Sequence, residues 1–126
     1  MQIVLDASYL MEFLENPEWE IFQWIWENEP VAPCLLRYEY NNILLCKLKN
    51  SNKTINQFRN VIHNLSIRYI DIAGEEEGIM PLAINYRLSF YDASYLHIAM
   101  EKGIPIATYD KDLIRAAKEK NVEVIE

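Results

Sequence analysis

Ile3-Val4-Leu5-Asp6-Ala7-Ser8 holds three apolar residues in a row, then an acid and two small residues. An unbroken apolar run, rather than an alternating one, suits a strand buried on both faces of a parallel sheet. Leu10, Met11, Phe13 and Leu14 follow at helical spacing, so a helix over 7–15 is expected. The same alternation of strand and helix continues down the chain. Asn16-Pro17 breaks the first helix and a second is expected over 18–28, with Val31-Ala32 as a short strand. Helices are expected over 34–50 and 55–65, the latter capped by Thr54, with a strand over 68–70. A helix opening at 74–78 runs to 88, and Ser89-Phe90-Tyr91-Asp92 reads as a turn before a helix over 93–102 that Gly103 closes. A strand over 104–107, a helix from 110 or 111 to 120 capped by Asn121, and a strand over 122–125 complete the pattern. Strands alternating with helices predict a three-layer α/β/α sandwich with a mostly parallel central sheet, in one domain over 1–126.

With 126 residues, 51% of them hydrophobic and 25% charged, the composition is that of one soluble globular domain. Three Gly and five Pro exclude a collagen-like or low-complexity chain. No apolar run approaches the roughly 20 residues that span a bilayer, so no membrane partner is expected. The N-terminal residues do not read as a signal peptide, and Cys34 and Cys46 read as reduced core thiols, which together point to the cytoplasm.

The net charge of −7 conceals a strong segregation. Residues 1–36 hold seven acids and no Lys or Arg. Residues 37–68 hold Arg37, Lys47, Lys49, Lys53, Arg59 and Arg68 against Glu39 alone. Phosphate contacts act over a Debye length of about 10 Å, so such a segment can hold nucleic acid whatever the total charge. Lys47, Lys49 and Lys53 are the candidates for RNA contact.

Ligands of an open α/β sheet bind outside the carboxyl ends of its strands. Asp6 directly follows the first strand, and Asp110 follows the strand ending at Ala107, after Thr108-Tyr109. Glu39 lies early in a helix between Tyr38 and Tyr40, and Asp92 stands before a run of core-type residues. Taken singly, Asp6, Asp92, Asp110 and Asp112 can each be a helix cap. Taken jointly, carboxylates without matching cations point to a divalent metal, and hard oxygen donors select Mg²⁺ or Mn²⁺. Ser8, Asn42 and Thr108 are candidates to hydrogen-bond an acid or a metal-bound water. His97 reads as a packed structural residue and His63 as a surface one.

Four blocks carry a family resemblance. Ile3-Val4-Leu5-Asp6-Ala7-Ser8, Pro33-Cys34-Leu35-Leu36-Arg37-Tyr38-Glu39-Tyr40-Asn41-Asn42, Leu88-Ser89-Phe90-Tyr91-Asp92-Ala93 and Ile106-Ala107-Thr108-Tyr109-Asp110-Lys111-Asp112-Leu113 follow one another in this order. Together they resemble the PIN-domain family, and within it the VapC-type toxin ribonucleases of toxin–antitoxin pairs. The resemblance implies a metal-dependent endoribonuclease. It carries the family's acids onto Asp6, Glu39, Asp92 and Asp110, with Asp112 as an additional position. Metal-assisted hydrolysis of a phosphodiester would then use one or two Mg²⁺ or Mn²⁺ ions and no covalent Ser, Cys or His. The competing class is an inactive PIN-like interaction module, which has no need for four uncompensated carboxylates. A phosphoaspartyl hydrolase would want a second Asp two residues after the first, where Ser8 stands.

Partners are expected at the aromatic helix over 18–28. Trp19, Phe22 and Trp26 fall at i, i+3 and i+7 and read as its core-facing stripe, which Ile21 and Ile25 widen. Trp24 then points away and is expected to be covered by a second chain, either a homodimer mate or an antitoxin segment.

Overall fold

The computed structural model describes residues 1–49 and 51–125. Its strands are β1 (Ile3–Leu5), β2 (Pro30–Pro33), β3 (Arg68–Ile70), β4 (Ile106–Ala107) and β5 (Val124–Ile125). Its helices are α1 (Ala7–Glu15), α2 (Trp19–Glu27), α3 (Leu35–Lys47), α4 (Asn52–Asn64), α5 (Glu76–Tyr86), α6 (Phe90–Lys102) and α7 (Lys111–Glu119). The strands form one sheet in the order β3-β2-β1-β4-β5, and every neighbouring pair is parallel.

That order fixes where a ligand can enter. From β1 the chain winds outward through β2 to β3, then returns across the sheet to β4 and winds outward again to β5. Right-handed crossovers place helices on one face for the first half and on the other for the second. Accordingly α1 packs on α3, while α6 packs on both α5 and α7. The reversal falls between β1 and β4, and the crevice of a doubly wound sheet opens at this point. The inner strands are buried throughout: Ile3, Val4, Leu5, Val31, Ala32, Ile106 and Ala107 are all in the core. Burial on both faces is why β1 reads as a continuous apolar run.

Several expected boundaries shift. Residues 89–92 are not a turn: Ser89 caps α6 by accepting from the Asp92 N–H at 3.0 Å, and the helix begins at Phe90. Asp92 therefore sits in the first turn of α6 and caps nothing. Ser51, rather than Thr54, caps α4. Lys120, rather than Asn121, is the C-cap of α7. The part of the expected 34–50 helix at Asn50 lies outside the described residues. Gly103 closes α6 at φ +63°, a conformation open to Gly without a Cβ penalty. Cys34 is half-buried and Cys46 exposed, both free, so Cys46 is not a core thiol.

The reading of α2 needs the largest correction. Ile25 is its fully buried residue, and Ile21, Phe22 and Trp24 are half-buried around it. Trp24 packs against Tyr9 of the same chain, with ring centroids 6.3 Å apart. Trp19 and Trp26 are the exposed ones, at 70% and 54%. The core-facing arc lies roughly 90° from the expected stripe, at 100° per residue. The aromatics of a helix apolar nearly all round do not reveal which arc meets the core. The Ile21–Ile25 pair, spaced i, i+4, does so here.

Candidate active site

The register of β1 against β4 sets Val4 beside Ile106 and Leu5 beside Ala107, so Asp6 and Thr108 follow as the next pair at the strand ends. The Thr108 hydroxyl donates to Asp6 Oδ2 at 2.5 Å, and the Ser8 hydroxyl donates to Oδ1 at 2.8 Å. The Tyr9 N–H also donates to Oδ1, at 2.9 Å, which makes Asp6 the N-cap of α1 as well. Asp6 is 3% exposed. Burial pushes its carboxyl up to about 6, the three hydrogen bonds pull it down, and the charge of Asp92 adds a further push upward.

Asp110 begins α7 just past β4. Its Oδ1 caps the helix by accepting from the Leu113 N–H at 2.9 Å, while its own N–H donates to Thr108 Oγ1 at 3.0 Å. Thr108, wholly buried, thus ties Asp6 to the Asp110 backbone. Asp92 is half-buried on α6; burial raises its pKa, the charges of Asp110 and Asp112 raise it further, and Ser89 opposes them. Glu39 is half-buried on α3 and accepts from the Tyr95 hydroxyl at 2.7 Å. Burial raises Glu39, Tyr95 lowers it, and the charge of Asp92 raises it again. Asp92 is therefore the electrostatic hub: Asp6 and Glu39 both feel it, and it feels Asp110.

Among the described residues, no Lys, Arg or His forms an ion pair with Asp6, Glu39, Asp92 or Asp110. Asp112 differs, being exposed and paired with Arg115 at 2.9 Å. Ser8 links several groups here, holding Asp6 and accepting from the Tyr109 N–H at 3.0 Å. The Asn42 side chain, exposed on α3, makes no hydrogen bond among the described residues. Lys47 pairs with Glu15, and Lys49 and Lys53 are exposed. His97 is buried against Gly78 and lies 3.1 Å from Glu75 Oε1, and His63 is exposed.

Sequence reasoning passed over Tyr95. It lies three residues after Asp92, on the same side of α6, and is 1% exposed. Its phenol is pushed far up by burial and by the charges of Glu39, Asp6 and Asp92. It therefore stays a neutral donor to Glu39. An aromatic at i+3 from a candidate acid was the available signal, though Tyr95 reads equally as core. Tyr109 was passed over too; its ring stacks on Tyr9 at 5.0 Å, beside the Asp6 end of β1.

Among the described residues, no three His, Cys, Asp or Glu side chains are drawn closely enough together to enclose an ion. Mg²⁺ does not require such a cage, since it keeps several waters and binds through one or two carboxylates. Asp6 uses three of about four acceptor sites on protein donors, so about one remains for a metal or its water. Hard oxygens carrying unneutralised charge fit Mg²⁺ or Mn²⁺.

Comparison with known proteins shows the family and the fold. The family model described as PIN domain matches residues 3–119. The chain belongs to the PIN domain family, whose members are generally nucleases. Among solved structures it is similar to PAE2754 from Pyrobaculum aerophilum, at a TM-score of 0.77 and 20% identity, over 98% of this chain and 83% of that one. It is also similar to VapC20 of Mycobacterium tuberculosis, a sarcin-ricin-loop-cleaving toxin, at a TM-score of 0.68 and 15% identity, over 90% of this chain and 94% of that one. At these identities the likeness establishes the fold. No curated protein matches by sequence. No helix among the described residues is long and apolar enough to cross a membrane.

Proposed function

We propose that this chain, as one PIN-like unit over 1–126, is a metal-dependent endoribonuclease acting in the cytoplasm as the toxin of a toxin–antitoxin pair. The observation that carries this reading is a set of four electrostatically linked carboxylates at the sheet's switch point with no cation partner among the described residues. Asp6, Glu39, Asp92 and Asp110 would hold Mg²⁺ or Mn²⁺. Bound there, the metal supplies charge neutralisation at a phosphodiester and a water of lowered pKa.

The chain's own residues set the terms. Ser8, Thr108 and the Tyr9 N–H fix the Asp6 carboxylate in one orientation. Tyr95 fixes one oxygen of Glu39 and leaves the other free for the crevice. The raised carboxyls bind protons that compete with the metal, so metal affinity falls as pH drops toward about 6, the value of Asp6. Single-stranded RNA is the substrate class, with VapC20 as the precedent for a toxin of this fold that cleaves RNA. An antitoxin and a second copy of the chain are the proposed protein partners, and the exposed Trp19 and Trp26 offer apolar surface for one of them.

The test is cleavage of a labelled RNA with Mn²⁺, with Mn²⁺ plus EDTA, and by Asp6→Asn. Cleavage that requires both the metal and Asp6 supports the reading. Cleavage that survives EDTA, or no cleavage under any condition, overturns it.

A further inference from the structure

The basic segment forms a groove of about 930 Å³ between α3, α4 and β3. That is near the upper end of ligand-site volumes, about 300–1,000 Å³. Among the described residues no Asp or Glu lines it, in a chain of net charge −7. On α4 the polar lining residues are Asn56, Arg59, Asn60 and His63, spaced i, i+3, i+4 and i+7, and Ile62 lines the groove beside them. A helix uses this spacing to bury an apolar face. Here it presents a continuous row of hydrogen-bond donors, while Ile62 and the half-buried Ile55 and Phe58 take the core side. The Arg59 and His63 side chains make no hydrogen bond or ion pair among the described residues. From the opposite wall, the Arg37 guanidinium sits over the Tyr69 ring, 5.1 Å from its centroid. Stacking of this kind holds a guanidinium in place and leaves its donor fork available to an anion.

The groove shares a wall with the acids. Arg37 and Glu39 are two residues apart on α3, roughly 200° around the helix axis. Arg37 faces the groove, while Glu39 meets Tyr95 on α6. A chain of phosphates crossing α3 would pass from the donors to the carboxylates.

We propose that this groove binds the phosphodiester backbone of the single-stranded RNA that flanks the bond to be cleaved. Arg37, Arg59 and His63 are the phosphate contacts, and the two Asn amides reach sugar or base edges. The inference rests on the nuclease reading and adds to it the path of the substrate. It also moves the RNA contacts away from Lys47, which is already paired with Glu15. A free acidic peptide would find the same charges; the regular row of amides between them favours a nucleic acid, which presents oxygens at each repeat.

The experiment measures binding of a short fluorescein-labelled single-stranded RNA in EDTA, across a salt series, by fluorescence anisotropy. Arg59→Ala with His63→Ala should weaken binding about tenfold or more and lower the log–log salt slope by about 0.7, the contribution of one cationic contact on single strands. Both positions are exposed on a helix and Ala is a strong helix former, so an unchanged melting temperature is expected as the folding control. Arg59→Lys should keep most of the affinity. With Mn²⁺, the double variant should raise KM on a long RNA about tenfold with kcat within about twofold, and should cleave a dinucleotide like the wild type. A wild-type affinity and slope in the double variant would overturn the groove and leave the nuclease reading standing. A wild-type chain that binds no RNA but binds a polyglutamate peptide through Arg59 would overturn both.

Discussion

The acid cluster and the basic groove lie on two sides of one helix and are built in opposite ways. Asp6 is 3% exposed and held by three donors, with Thr108 and Ser8 stitching β1 to β4 behind it. Arg59 and His63 are exposed on the surface of α4, and their side chains are bonded to nothing among the described residues. A site that must present oxygens in a fixed arrangement gains from burial, because the supporting hydrogen bonds strengthen as water leaves. A surface that follows a flexible polyanion gains from mobile, hydrated cations, whose attraction acts at a distance. Burial has a cost that the groove avoids. The charges of the cluster repel one another, and each buried carboxyl is pushed toward its protonated form.

The sharpest separation of the two regions comes from Asp92→Asn. Removing the hub should lower cleavage at least about a hundredfold, since even outer-shell changes at metal sites cost 10–100-fold. RNA affinity in EDTA should stay level or rise, because a negative charge has gone. Loss of RNA binding by this variant would merge the two regions into one.

The next effect is on stability without metal. The folded chain keeps the Asp6 proton up to about pH 6, whereas an unfolded chain releases it near 3.8. Between those values the folded state binds more protons, so stability falls as pH rises through the window. Asp6→Asn removes that loss and keeps an oxygen for the Tyr9 N–H. In metal-free protein at neutral pH it should be more stable than the wild type by up to roughly 3 kcal/mol. The gap should close toward pH 4. Denaturant unfolding across pH checks this, and a variant that is less stable at every pH would show that Asp6 is a structural cap with no charge penalty.

Tyr95→Phe removes the donor to Glu39 and little volume. Mn²⁺ affinity should drop about tenfold, at the low end of outer-shell effects, with RNA affinity in EDTA unchanged. Calorimetric titration with Mn²⁺ measures it, and an unchanged affinity would take Glu39 out of the metal set. The smallest effect is expected at Lys47→Ala. Its exposed pair with Glu15 is worth about 0–1 kcal/mol, and its charge is already engaged. The RNA salt slope should move by less than about 0.3, below the roughly 0.7 of one phosphate contact. A larger change would extend the groove along α3.

Much of this was legible in the residues themselves. Continuous apolar runs at Ile3-Val4-Leu5 and Ile106-Ala107 mark parallel strands, because burial on both faces leaves no polar side to alternate with. The acids after those runs mark the sheet's carboxyl edge, because an open α/β sheet exposes its loops there. Local signals failed where two local choices were equally good. Ser89 and Asp92 can each begin a helix, and the chain uses Ser89. The aromatics of α2 surround the helix, and only tertiary packing selects Ile25 over Trp19 and Trp26 as the buried side.

The residue pattern alone determined the alternation of strands and helices, the fold class and the charge segregation along the chain. Each of these depends on neighbours a few positions apart. Tertiary structure alone decided that Tyr95 meets Glu39 across 56 positions, that Thr108 meets Asp6 across 102, and that Arg37, Arg59 and Tyr69 share a groove. Those meetings are set by strand order and by which face each crossover takes, and no local spacing encodes how far apart in sequence two packed side chains will be.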